Sequence, residues 1–472
     1  MALNSSGEKD TFIVCRNSQG DTVRGTLLRL TRHLVVFEAY NPYSIVQLSE
    51  VLIDFKIFMN DRLVYSGRAV VSGLVNTGIM LVCEATLDES WLDVDLFSTS
   101  NLRETLCSQF ADFTKEWGKI YTILPDFKVV VSDMQILFAG LRRWLEQVEL
   151  GIQSVATNDR SHTEREAIEE LGHPISVNVD SLFERFEGVA SGVPTESQGV
   201  YRTFIKRQIH PLVLCSPFVY RVFQKPLGYA GDYEMVNMIV RDPLEGNSIY
   251  AKVVNLLFLN RAPAVAHRNR IAYLTRQLSN ETKRVAREGR IARIYNLGCG
   301  PAVEVQNFLM QSDLCEATDL TLVDFNEETL RYTAQRLEDI RIGHGRDTRI
   351  HTVKKSVHQI LKEAARFNEG PAYDFIYCAG LFDYLSDRIC KRLMNIFYDM
   401  LLPGGLLVTT NVASSNPCRY GMDFLLEWHL IQRDKAQLEA LCPDVAPPGS
   451  FCMTSELTGV NVFIEVRKPY VE

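Results

Sequence analysis

Residues 294–302 read Ile-Tyr-Asn-Leu-Gly-Cys-Gly-Pro-Ala, an apolar run that ends in two glycines one residue apart. From Ile291 the run Ile-Ala-Arg-Ile-Tyr-Asn-Leu has the make-up of a buried strand, and Val303 to Met310 has the spacing of an amphipathic helix. Gly298 and Gly300 therefore fall on a strand-to-helix turn. Such a turn offers backbone N–H groups and open space at the carboxyl edge of a sheet, where α/β folds bind nucleotides and related ligands.

Working outward, Leu320 to Asp324 is a second apolar strand that ends in a carboxylate, followed by Phe325 and a helix from about Glu327. The spacing from Gly298 to Asp324 suits an acid that accepts hydrogen bonds from a ribose. A carboxylate at that point also suits a helix N-cap. A third strand ends near His351-Thr352-Val353, before the polar turn Lys354-Lys355-Ser356, and Tyr373 to Cys378 makes a fourth, with Leu381 to Leu385 opening its loop. A helix over Cys390–Leu402 is expected to stop at Pro403-Gly404-Gly405, Leu406 to Asn411 resumes as a strand, and Val460 to Val466 reads as an edge strand.

Two other textures precede this one. From Thr11 to about Ala85 short β-rich runs (Phe12–Cys15, Thr22–Leu28, His33–Tyr40, Val51–Met59, Arg62–Val71, Gly78–Cys83) alternate with turn signals at Ser18-Gln19-Gly20, Asn41-Pro42, Asn60-Asp61 and Asn76-Thr77-Gly78. That spacing predicts a small antiparallel barrel or sandwich. From about Trp91 to Asn280 the pattern is helical, with Leu137, Leu141, Trp144, Leu145 and Val148 recurring at three and four and a turn-rich connection at Thr157–Thr163. The expected division is a β-barrel over 1–90, a helical capping region over 91–285, and an α/β domain over 286–472.

The 472 residues leave room for two or three domains, and 46% hydrophobic with 23% charged residues is an ordinary globular balance. A net charge of -8 argues against general binding to nucleic acid or anionic membranes. The start, MALNSSGEKDTF, lacks a basic segment followed by an apolar one, and no run of about 18 apolar residues follows, so a cytoplasmic protein is expected. Eleven cysteines without a CxxC pair or zinc spacing point to free thiols and no metal site.

In order, LGCGPA, LVDFN, YDFIYCAGLFDYL and LLPGGLLVTTN resemble the class I S-adenosylmethionine-dependent methyltransferase fold over roughly Arg290 to Glu472. The resemblance implies a Rossmann-like sheet and S-adenosyl-L-methionine as cofactor. It implies further that Gly298 and Gly300 make room for the methionine and ribose, with Asn296 just before them, that Asp324 meets the ribose, and that Phe325 lies against adenine. Ser356 and Val357 fall where the family contacts the adenine edge, and Ala379, Gly380 and Phe382 line the loop under the sulfonium. Two departures stand out. Asn296 occupies a position that is acidic in many members, so it brings no charge to the cofactor's amino group, and Ala302 takes the third glycine position.

Before this core, Lys225 to Met235 (KPLGYAGDYEM) packs two glycines, two tyrosines and two acids into a span suited to a shaped loop, and Ala264 to Arg270 (AVAHRNR) sets His267 and Arg270 one turn apart on a helix. A plain turn and a solvated basic face are the bland alternatives. With the tail SSNPCRYGMDFLLEWHLIQRD, these stretches are similar to the bacterial family of 3-hydroxypalmitic acid methyl ester biosynthesis proteins, from about Gln198 onward. Arg268 or Arg270 could pair with a substrate carboxylate, and the similarity implies carboxyl O-methylation of a small or fatty acid, with Tyr229 and Asp232 shaping the acceptor pocket and Tyr420 and Trp428 on the far wall. The β-rich N-terminal part resembles the PilZ domain, although Arg24, Arg29 and Arg32 have the wrong spacing for its RxxxR motif and no DxSxxG follows. A docking or dimerising role through paired strand edges is expected there instead of nucleotide binding.

An ionised carboxylate acceptor needs no base, whereas an amine or hydroxyl does, and His267 or Asp232 would serve. Three readings stay open: methylation of a carboxylic acid, methylation of nitrogen or hydroxyl oxygen in a specialised metabolite, and a regulatory protein that binds the cofactor without turnover.

Overall fold

The structure, a computed structural model, describes residues 11–470 apart from 19, 32, 40–45, 60–61, 77–80, most of 89–121, and 365–371. The chain's start and the turns expected at Asn41-Pro42, Asn60-Asp61 and Thr77-Gly78 lie outside the described residues. The chain forms two compact units. The first takes the described residues of Met1–Ala230 with Leu244–Asn255 and Arg419–His429, and the second takes Gly231–Pro243, Leu256–Cys418 and Leu430–Glu472. The described helices of the middle stretch are shared between the two.

In the first unit, β1 (Thr11–Arg16), β2 (Thr22–Leu30), β3 (Leu34–Ala39), β4 (Val51–Met59), β5 (Arg62–Asn76) and β6 (Leu81–Leu87) form a closed barrel in the order β1-β2-β3-β6-β5-β4. All pairings are antiparallel, and β1 closes the ring on β4 with Phe12 opposite Phe58. Alternation fills the inside: Val35, Phe37 and Ala39 point inward to meet Ile13, Phe55, Ile57 and Cys83. In the closed ring each of the described barrel strands is paired on both sides.

Helices α1 (Pro125–Gln153), α2 (Arg160–Ala190) and α3 (Gln198–Val213) follow. Their shared core is aromatic, with Phe127 5.6 Å from Phe186 and 4.8 Å from Tyr201 between ring centroids. Helix α4 (Pro217–Gln224) starts with Pro217 behind the Ser216 cap, whose side chain accepts from Val219 N–H, and ends at left-handed Lys225. Gly228, at φ +88°, directs its carbonyl to the Val51 N–H at 2.6 Å, and a Cβ there would stand 2.4 Å from Ser18 Cβ. The first half of the Lys225–Met235 stretch is thus fastened to the barrel.

Arg419–His429 rejoins this unit from far along the chain and carries a π-helical turn at Gly421–Leu425. Its charges are buried in pairs. Asp423 contacts Arg202 at 2.9 Å and also His429, while Glu427 contacts Lys206 and lies near buried Lys225. These cations hold Glu427 down to about 2 and Asp423 well below the usual carboxylate range, against the opposing effect of burial. Burial also lowers His210 to about 4 while one ring nitrogen lies 2.8 Å from the Leu425 carbonyl.

The second unit is built on a seven-stranded sheet, β12-β13-β11-β10-β7-β8-β9, made of β7 (Ala292–Leu297), β8 (Thr318–Asp324), β9 (Arg349–Lys354), β10 (Tyr373–Cys378), β11 (Leu401–Val412), β12 (Phe451–Ser455) and β13 (Asn461–Arg467). β13 runs antiparallel to both neighbours, and β9, β8, β7, β10 and β11 are mutually parallel. This is the Rossmann-like sheet expected. In it β8 and β9 lie on one side of β7 and β10 and β11 on the other, so the chain's direction of travel switches beside β7, where such sheets open a crevice.

The helices of this unit include α5 (Tyr233–Val240), α7 (Ala262–Arg287), α8 (Val303–Gln311), α9 (Glu327–His344), α10 (Val357–Ala364), α11 (Asp387–Asp399) and α12 (Lys435–Glu439), with α6 (Ile249–Leu259) divided between the units. One apolar layer gathers Ile294, Leu320, Phe308 and Leu278, and the other Ile376, Leu407, Phe397 and Met394. Two expectations are corrected. The helix placed at Cys390–Leu402 ends at Asp399 and β11 already starts at Leu401, with Leu402 extended as a residue before proline favours, and Pro403-Gly404-Gly405 lies within β11, absorbed by a register shift opposite β10. β13 is interior, since β12 pairs along its outer side. Among the described residues, no helix is long and apolar enough to cross a membrane.

Candidate functional site

The glycine turn forms because β7 must reverse into α8 within five residues. Gly298 and Gly300 adopt left-handed φ values of +73° and +50°. The N–H groups of Gly298 and Cys299 both donate to the Val323 carbonyl, at 2.8 and 3.1 Å, which ties the turn to the end of β8. A Cβ on Gly300 would meet nothing within 4 Å, and one on Gly298 only Leu381 at 3.7 Å. Backbone conformation and open space, not crowding by the protein, account for glycine here. Ala302 is also left-handed, at φ +49°, which costs about 1 kcal/mol, but its methyl is buried in the core.

Asp324 braces the same turn. Its Oδ2 accepts from Gly300 N–H at 3.1 Å and its Oδ1 from Asn326 N–H at 2.9 Å. Burial raises this carboxyl, and the backbone donors pull the other way. The capping role falls to Asn326, whose side chain accepts from Thr329 N–H at 2.9 Å, so the N-cap reading of Asp324 is corrected. Each Asp324 oxygen keeps further acceptor capacity for a hydroxyl. Phe325 follows, half-buried. Ser356 is engaged in starting α10, exchanging hydrogen bonds with Gln359, and Val357 is buried in the core.

Behind the turn lies a buried polar cluster. Asn296 on β7 pairs in register with Tyr377 on β10, and Glu304 from the first turn of α8 reaches both. Glu304 Oε1 accepts from the Tyr377 hydroxyl at 2.9 Å and from Asn296 Nδ2 at 3.3 Å. The Asn296 Oδ1, on a residue only 2% exposed, has no hydrogen-bond partner among the described residues. Arg270, on α7 and 8% exposed, rests its guanidinium on Gly380: a Cβ there would lie 2.9 Å from Nη1, and Gly380 takes φ +84°. Asp383 and Glu304 act on this cation from a distance, and it makes no direct ion pair or side-chain hydrogen bond among the described residues. Gly380 N–H donates to Thr410 Oγ1 at 3.0 Å, and Asp383 accepts from Val412 N–H at 2.6 Å. Ala379 packs against the core, and Phe382 is fully buried in it, supporting the loop from below.

The remaining expected residues separate. Asp232 is the N-cap of α5, accepting from Met235 N–H at 2.8 Å. Arg268 donates to the Ile239 carbonyl at 3.2 Å, and Tyr233 donates to Glu328 at 3.0 Å, so α5 is tied to α7 and α9. One ring nitrogen of His267 lies 2.8 Å from the Pro263 carbonyl, and burial with the Arg270 charge holds the imidazole down to about 3. The solvated basic face considered for this helix is therefore corrected: Arg270 is buried and His267 half-buried. Tyr229, Tyr420 and Trp428 belong to the first unit, where Tyr420 stands edge-on to Phe424 at 5.8 Å and Trp428 is buried. They share no unit with Asp232, Arg268 and Arg270. Sequence reasoning missed Glu304, Tyr377 and Thr410; the lone carboxylate of Val303-Glu304-Val305, amid apolar neighbours on a helix start, was the available signal for the first.

The chain matches no protein-family model and no curated protein. Among solved structures it is similar to a possible exported protein from Bordetella parapertussis, at 18% identity over 56% of this chain and 88% of that one, with a TM-score of 0.43. It is similar as well to magnesium protoporphyrin IX methyltransferase from Synechocystis with bound S-adenosylmethionine, at 12% identity over 57% of this chain and 96% of that one, TM-score 0.32. A third is the N-methyltransferase NodS from Bradyrhizobium japonicum with S-adenosylhomocysteine, at 15% identity over 50% and 98%, TM-score 0.31.

Proposed function

We propose that the second unit is a methyltransferase that uses S-adenosyl-L-methionine and methylates a carboxylic acid. The observation that carries the reading is the buried Arg270 guanidinium, left without a direct counter-ion beside Gly380. Burying a cation without a partner is costly, and an anionic group brought by a ligand relieves that cost. The residues present fit the cofactor: Gly298 and Gly300 leave room, Asp324 offers acceptors to the ribose hydroxyls, Phe325 offers a face to adenine, and Arg270 takes the methionine carboxylate. This moves Arg270 from the acceptor to the donor. When bound, the sulfonium supplies an electrophilic methyl group. The protein's part is to orient the acceptor against it and exclude water, which requires placement more than proton transfer.

The acceptor follows from the bases. His267 is too weak a base at about 3, and Asp232 is occupied as a helix cap, so neither expected base is poised to deprotonate an amine or hydroxyl. An ionised carboxylate needs no such help. The resemblance to methyl ester biosynthesis proteins makes a 3-hydroxy fatty acid the first acceptor to try. The test is calorimetry with S-adenosylhomocysteine, followed by labelled methyl transfer to a panel of acids and amines. Binding with product label released by alkali, as a methyl ester requires, supports the proposal. Alkali-stable label on an amine overturns the acceptor class, binding without turnover on any acceptor favours a regulatory role, and absence of binding overturns the donor.

A further inference from the structure

Asn296 Oδ1 is buried without a hydrogen bond among the described residues, the amide being oriented so that its Nδ2, and not its oxygen, faces the Glu304 carboxyl. An orphaned buried carbonyl costs about 1–3 kcal/mol, a cost that persists only where something offsets it. Glu304 presents a parallel problem. Burial raises its carboxyl above the usual carboxylate range, its two side-chain donors, Tyr377 and Asn296, are neutral, and the cation nearby, Arg270, is not in direct contact. The structure therefore holds, behind one glycine turn, a carboxylate and an amide oxygen in want of a cation and a guanidinium in want of an anion.

Resting on the donor reading above, we propose that Glu304 and the Asn296 carbonyl oxygen form an ammonium site which, opposite Arg270, recognises the zwitterionic amino-acid end of the donor. The charge missing from the strand at position 296 is supplied from the first turn of α8. Glu304 is thus a specificity-determining residue. It selects ligands with an intact α-amino group and discriminates against truncated thioadenosines, and the desolvated surroundings strengthen the discrimination.

The experiment is calorimetry on the full chain with three ligands: S-adenosylhomocysteine, its analogue lacking only the amino group, and methylthioadenosine, which lacks the whole amino acid. Wild type is expected to bind the deaminated analogue about 10–100-fold more weakly than S-adenosylhomocysteine, the range of a charge-assisted hydrogen bond. Glu304→Gln is expected to weaken S-adenosylhomocysteine by a similar factor while leaving both truncated ligands within about twofold of wild type. Equal losses on all three ligands would make Glu304 a structural residue and overturn the proposal, as would no loss on any. Should Glu304→Gln fail to fold, the wild-type comparison still decides: equal affinity for S-adenosylhomocysteine and its deaminated analogue overturns the ammonium site. Failure of the donor reading looks different, since wild type then binds none of the three, and the proposal falls with it.

Discussion

Two buried clusters, one in each unit, treat charge in opposite ways. Around Arg419–His429 in the first unit, Asp423 meets Arg202 and His429, and Glu427 meets Lys206 with Lys225 nearby. In the second, behind the glycine turn, Arg270 lies buried with its opposite charges out of contact. Charges matched within the protein fix a chain segment in place. Charges left unmatched within the protein are available to match something else.

Substitution puts the contrast at greatest risk. Glu427→Gln strands Lys206 and Lys225 without their anion, and a loss of about 3–5 kcal/mol is expected, read as a large drop in thermal midpoint. Arg270→Met removes a charge that nothing contacts directly, so stability should hold or rise while S-adenosylhomocysteine affinity falls at least about tenfold. If the two variants lose stability alike, Arg270 is structural and the contrast fails.

Acid sharpens the same point for the first unit. His210 is lowered from its ordinary 6.5 to about 4, and Glu427 from 4.5 to about 2. In both cases the unfolded chain binds the proton first, so each group's contribution is present above its unfolded value and is lost as pH falls through the window to its folded value. Stability measured by chemical denaturation should decline from pH 6.5 toward 4 and fall further below 4.5. Glu427→Gln should flatten the lower part of that curve and leave the upper part in place.

The smallest effect compares two glycines. Gly300→Ala meets no neighbour within 4 Å, so it should lose only about 1 kcal/mol to left-handed strain. Gly228→Ala combines φ +88° with a Cβ 2.4 Å from Ser18 and should lose more. Donor-product affinity should show the reverse order, falling for Gly300→Ala, whose methyl enters the open crevice.

Much of this fold can be read along the chain. The strands at Val51–Met59 and Tyr373–Cys378 match their expected limits, and the helix from Glu327 starts where its acids suggest. These are local signals: alternation, unbroken apolar runs, acids in a first turn. What was not legible involves partners distant in sequence. Val460–Val466 looks like an edge until β12 returns beside it, and Lys225–Met235 looks like one loop although its halves belong to different units.

The sequence alone determined the order of elements, the positions that demand left-handed backbone, and the carboxylate that ends β8, because each follows from sterics and periodicity within a few residues. The tertiary structure decided which charges are satisfied. Arg270, Asn296, Glu304 and Tyr377 come from α7, β7, α8 and β10, and whether a buried charge finds a partner depends on distances between elements that no local pattern encodes.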